Sequence, residues 1–177
     1  LNSLELNGSP PIKTLSLHTT ADYLDICKYI QSQLSLIGME IEIEVHPAAT
    51  LKELKAQGKL SFFRASWIAD YPDEENYLSL FYSANFTPDG PNYTHFSNPR
   101  YDSLYLLSQK TVSYYDRVSL YRSMNELIME ECPVVVLYYD EVTRFVSTKI
   151  EGLENNPMNL LDLRKVRKRP GLEKNIP

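Results

Sequence analysis

No run in this sequence approaches the roughly 18–20 consecutive apolar residues that a membrane-spanning helix requires, so nothing in it reads as a span. Basic charge is also scarce. Lys and Arg together number 18 against 23 acids, a net charge of −5, so there is no broad basic face to neutralise a nucleic-acid backbone, and no nucleic-acid partner is expected. Cysteine is limited to Cys27 and Cys132, far apart and without metal-ligand spacing. They read as two buried thiols acting as small hydrophobes, with a disulfide between them as the alternative. The chain contains no G-x-S-x-G elbow, no P-loop and no dinucleotide glycine fingerprint, and neither internal repeats nor low-complexity tracts. It opens at Leu1 with neither a methionine nor an apolar signal stretch, so an excised piece of a longer protein is expected.

What is present is globular. Of 177 residues 43% are apolar and 23% charged, enough for one ordinary domain or one lobe of something larger. After the turn "GSPP" at 8–11, residues 12–18 alternate as a strand. A helix capped by Thr19 or Thr20 follows, with Tyr23, Ile26, Cys27, Ile30, Leu34 and Ile37 at helical spacing and Gly38 as its stop. "MEIEIEVH" alternates strictly and predicts a second strand, with one apolar face and one carrying Glu40, Glu42 and Glu44. Pro47 ends it. Thr50 and Glu53 form a capping-box signature for a second helix closed by Gly58, and "LSFFRASW" predicts a third strand. Strand, helix, strand, helix, strand is the βαβαβ order of a mostly parallel sheet with right-handed crossovers.

That order locates a site, because ligands of open α/β sheets bind outside the carboxyl ends of the strands. The third predicted strand ends at the sole tryptophan, in "WIADYPDEENYLSLF". Within it, Asp73 is suited to cap a helix and Glu74 and Glu75 to occupy its first turn. The 83–102 stretch reads as a loop, with helices at 99–110 and 114–131, the second starting near Ser113 or Asp116. "VVVLYYDEVTRFVS" then predicts a long strand or hairpin, before the "NNP" turn at 155–157 and a last apolar patch, "MNLLDL". The basic run "RKVRKR" at 164–169 reads as a solvated end or a truncated connection.

Several chemistries can be weighed on the residues. Asp70 and Asp73 flank a proline and make a poor acid/base pair for glycoside hydrolysis. "DYPDEEN" lacks the spacing and the glycine of a calcium loop. His18 and His46 end neighbouring strands and could share a metal, but without a clear third ligand they read as ordinary strand-end polar residues. No catalytic residue and no metal ligand is therefore assigned. Asp70 beside Trp67 and Tyr71 is suited to hold an ammonium group, through a charge-assisted hydrogen bond and cation–π attraction. Equally, Trp67 can pack in the core while Asp70 caps a turn.

The motifs also resemble a family. "WIADYPDEENY" at 67–77 is similar to the W-x-x-D-Y-x-D/E-P-x-x-F segment of extracellular solute-binding proteins of family 5, the dipeptide and oligopeptide receptors of ABC importers. "NYTHFSNPRYD" at 92–102 resembles their N-x-x-x-Y-x-N/S-P-x-F/Y-D stretch. "DRVSLYRSMNELIMEECPVVVLYY" at 116–139 and the strand–helix–strand at 15–45 resemble the flanking segments. One departure is Glu74 in place of the family's proline, neutral for a helix start. The resemblance implies a periplasmic-binding-protein-like fold of type II, with residues 10–150 forming the second lobe and 151–177 returning towards a first lobe. It further implies a monomeric receptor without cofactor or enzymatic activity, periplasmic or anchored as a lipoprotein on a bacterial surface. Such a receptor delivers a peptide or other small solute to a membrane permease. Asp70 would pair with the peptide's α-ammonium while Trp67, Tyr71 and Tyr93 line the cleft. The rivals are a receptor for a non-peptide solute such as nickel or an oligosaccharide, and the ligand-sensing lobe of a transcriptional regulator.

Overall fold

The computed structural model describes residues 14–156 and 160–169. The turn expected at 8–11 and the first two residues of the strand expected over 12–18 lie outside the described residues, as do Pro157, Met158 and Asn159 of the expected turn and apolar patch.

Strands β1 (Thr14–Thr19) and β2 (Glu40–Val45) pair in parallel, with Leu15 opposite Ile41, Leu17 opposite Ile43 and His18 opposite Glu44. Side-chain alternation sets that register. It gathers the four apolar residues on the face covered by helix α1 (Leu24–Ser35) and leaves the glutamates on the other. Leu17, Cys27 and Ile41 are buried at the centre of this first core, with Ile26, Ile30, Leu34 and Phe62 packed around them. The crossover turns at Gly38, whose φ of +83° favours glycine.

Helix α2 (Ala48–Ala56) starts earlier than the Thr50–Glu53 pair predicts, so the expected capping box does not form. Pro47 opens it instead, its carbonyl accepting the Leu51 N–H at 3.0 Å. A helix edge suits proline, because the missing N–H would have no partner there.

The third predicted strand is reduced to a single parallel bridge between Phe63 and His18. The His18 N–H donates to the Phe62 carbonyl at 3.1 Å, and the Arg64 N–H donates to the His18 carbonyl at 2.9 Å. The direction is the one the βαβαβ order requires. Beyond the bridge β1 continues by one residue only, and the Thr19 carbonyl turns to the β2 side, where it accepts the His46 N–H at 2.8 Å.

A second core is helical. It packs α3 (Glu75–Leu78) against α4 (Pro99–Lys110) and α5 (Tyr114–Glu131). Asn98 caps α4, its side-chain oxygen accepting the N–H groups of Arg100 and Tyr101, and Ser113 caps α5 through the Asp116 N–H. Leu78, Tyr101, Tyr105, Tyr121, Met124, Leu127 and Ile128 fill the interior. Tyr101 is fully buried and donates to the Leu78 carbonyl at 2.7 Å, as a buried phenol must find a partner. Buried Asn92 pins the 82–98 loop by donating to the Tyr82 and Phe96 carbonyls. Gly90 lets the loop close, since a Cβ there would sit 2.5 Å from the Asn85 carbonyl oxygen.

Three expectations are corrected. Of the two cysteines only Cys27 is buried; Cys132 ends α5 exposed, and both thiols are free. Residues 134–147 form no strand or hairpin, because no described residue offers them a ladder partner. The basic run is not simply solvated: its Arg167–Lys168 forms β4, antiparallel to β3 (Ile150–Glu151). There Glu151 meets Arg167 at 2.6 Å and Arg169 at 3.5 Å. No helix among the described residues is long and apolar enough to cross a membrane.

Candidate functional site

The chain leaves the Phe63 bridge at the carboxyl end of β1 and passes through Trp67 and Asp70 into α3. Trp67 is half-buried, its indole N–H donating to the Asn76 side-chain oxygen at 2.6 Å. This bond ties the segment after the Phe63 bridge to the first turn of α3 and fixes the ring plane.

Four acids follow within six residues, and they divide. Asp73 works for the fold: one carboxylate oxygen accepts the Glu75 N–H at 3.0 Å and the Tyr121 hydroxyl at 2.9 Å, and the other meets an Arg117 nitrogen at 3.1 Å. Glu75 accepts the hydroxyls of both Tyr71 and Tyr105. Burial, then the Asp73 bond, pushes the Tyr121 phenol well above its ordinary range; for Tyr105 burial is followed by the Glu75 bond. For Tyr71, half-exposed, the Glu75 bond leads and burial adds to it. Asp70 and Glu74 are exposed and make no side-chain hydrogen bond or ion pair with a described residue. Glu74 sits at the start of α3, so Asp70 is the acid of the group that neither folds nor caps anything.

Trp67 and Tyr71 are therefore brought together through Asn76 and Glu75 at the start of α3, with Asp70 between them in the chain. Tyr93 lies elsewhere. Its half-buried ring sits 5.3 Å from Lys55 Nζ, which also faces the Phe63 ring at 5.9 Å.

Sequence reasoning missed a basic group at the same end of the sheet. A cavity of about 250 Å³ is lined by Lys52, Lys55 and Arg64, with Asp22 as its one acid. The Arg64 guanidinium stacks 3.2 Å over the Tyr23 ring, which holds it extended and desolvates one face. Burial lowers the pKa of Lys55, and Arg64 and Lys52 lower it further. The three cations are dispersed over α2 and the bridge segment, so no sequence window displays them as a cluster. His18, Glu44 and His46 are the one group among the described residues whose side chains could together offer three metal-binding atoms.

The chain matches the family described as Bacterial extracellular solute-binding proteins, family 5 Middle, over residues 2–89. It is 24% identical over 155 residues to the Dipeptide-binding protein DppE of Bacillus subtilis (strain 168), covering 87% of this chain and 28% of that protein. The solved structure titled MppA Periplasmic Murein Tripeptide Binding Protein, Unliganded Open Form superposes with a TM-score of 0.76 at 22% identity, over 92% of this chain and 31% of that one. Clavulanic acid biosynthesis oligopeptide binding protein 2 gives a TM-score of 0.80 at 18% identity, over 89% and 31%. These superpositions show the fold, and the chain spans under a third of the length of each of these proteins.

Proposed function

Since residues 2–89 belong to the bacterial extracellular solute-binding proteins of family 5, we propose that this chain is one lobe of a receptor that captures peptides and passes them to an ABC permease. In this reading residues 10–150 form the lobe and 151–177 return towards a partner lobe. The receptor works as a monomer in the periplasm or as a lipoprotein at the cell surface, and it binds without catalysing. The observation that carries the reading is Asp70: an exposed carboxylate with no side-chain partner among the described residues, on the segment that runs from the Phe63 bridge to α3, three residues after an indole fixed by Asn76. A peptide's α-ammonium would pair with it, while Trp67 and Tyr71 shield the pair from water and so strengthen it. Tyr93 would extend the wall on the Lys55 side. Closure of a second lobe by hinge motion would complete the burial.

The test is calorimetry on the two-lobed receptor. Asp70→Ala should weaken free peptides by about 2–5 kcal/mol, the usual cost of truncating one partner of a buried charge pair. N-acetylated peptides should bind the variant and the parent alike. Equal losses for both ligands would remove the assigned role.

A second reading rests on the basic cavity of Lys52, Lys55 and Arg64, which favours a solute with a carboxylate or phosphate over one recognised by its amine. Lys52→Ala would then weaken binding more than Asp70→Ala does, and acetylating the ligand's amine would have no effect in either protein.

A further inference from the structure

We propose that His18, Glu44 and His46 form a binding site for a divalent transition-metal ion of the zinc class. The three side chains are neighbours by construction. His18 stands opposite Glu44 in the parallel register, and Glu44 and His46, two residues apart, project to the same side of the strand. His18 Nδ1 lies 2.9 Å from His46 Nε2, and the Glu44 carboxylate lies 3.5 Å from the first and 3.8 Å from the second. In a tetrahedral zinc site, with ligand bonds near 2.0–2.2 Å, ligand atoms stand about 3.3–3.5 Å apart, so these edges bracket a coordination triangle. Two imidazole nitrogens and one carboxylate oxygen suit zinc, nickel or copper better than magnesium or calcium. The histidines are mostly covered, at 14% and 20% side-chain exposure, whereas Glu44 is 47% exposed. An ion can therefore enter past the glutamate and keep a water there.

The backbone under the site is already fixed. The His18 N–H and carbonyl are both bonded to the 62–64 segment, and the His46 N–H is bonded to Thr19. The rings stack with centroids 5.2 Å apart. At 2.9 Å one ring donates its N–H to the other nitrogen. Coordination needs both lone pairs, so that hydrogen must pass to the far nitrogen of its own ring. Neither His18 Nε2 nor His46 Nδ1 has a hydrogen-bond partner among the described residues, so either can carry it, and two neutral imidazoles remain.

Zinc titrated calorimetrically into the metal-free chain should bind at one ion per chain. His18→Asn and His46→Asn should each weaken that binding about tenfold or more. His95→Asn, which alters the third histidine, should leave it unchanged. Absence of stoichiometric binding at millimolar zinc, or equal affinity in the His18→Asn variant, would overturn the site. Should either variant fail to fold, the unsubstituted protein decides. Ring-nitrogen NMR should show zinc-induced shifts at Nδ1 of His18 and Nε2 of His46, and shifts confined to His95 or missing altogether would refute the proposal.

Discussion

At the scale of single residues, the acids of 70–75 show how one stretch carries two kinds of work. Asp73 accepts hydrogen bonds from a helix N–H and a tyrosine hydroxyl and meets a guanidinium besides, and the guanidinium comes from a helix more than forty residues away. Arg117 is also held at cost, because its buried Nε has no hydrogen-bond partner among the described residues. Losing Asp73 would strand that charge. The pair is about three-tenths exposed, which places it between a buried ion pair and a surface one. Asp73→Ala is expected to destabilise the chain by about 2–3 kcal/mol in urea unfolding, cap included. Glu74→Ala, one residue on and without a side-chain partner among the described residues, should change stability by less than about 0.5 kcal/mol. Equal effects would mean that Asp73 acts only through local helix propensity. The capping role of Asp73 was legible in the sequence from its place before a helix. Its partners Arg117 and Tyr121 were not, because they are set by how α5 packs.

At the scale of elements, the helical core has a chemical signature: three buried phenols, Tyr101, Tyr105 and Tyr121. Burial keeps each protonated far above its ordinary range, with nearby carboxylates adding to the effect. The unfolded chain releases the same protons near pH 10. Above that pH the unfolded state binds fewer protons than the folded one, so stability is flat through neutrality and falls as pH rises. Each phenol contributes a slope of about 1.4 kcal/mol per pH unit. Tyr121→Phe should lower the slope measured by urea unfolding between pH 10 and 11.5 by about 1 kcal/mol per pH unit; an unchanged slope would show that Tyr121 ionises in the folded chain. The α4 and α5 boundaries matched the sequence because a helix closes its own hydrogen bonds and its caps, Asn98 and Ser113, are local. Strands depend on distant partners. Hence β1 and β2, matched by their alternation, were legible, whereas 60–67 shrank to a bridge and 134–146 has no strand partner among the described residues. The same logic hid the third member of the histidine cluster: Glu44 reads as an ordinary solvent-facing acid until the register sets it opposite His18.

At the scale of the whole molecule there are two apolar cores, one beneath the β1–β2 pair and one among α3, α4 and α5. Residues 62–78 join them. A long β-prone segment, 134–146, leaves the second core at Val134 with most of its side chains exposed, Tyr139 at 81% and Phe145 at 98%. Its amides should exchange with solvent within seconds, while those of α5 are protected by global unfolding. The same segment should bind a hydrophobic dye, and charging it with Val136→Lys and Leu137→Glu should abolish that binding. Slow exchange across 134–146 would mean that it pairs after all. One further consequence comes from the bond between the Trp67 indole and Asn76. Trp67 is the only tryptophan in the chain, and it stands on the join between the cores instead of inside either. Its fluorescence is thus a single-point gauge of the junction: it should change when a ligand settles against Asp70 or when the two halves part, and stay silent while either core merely breathes.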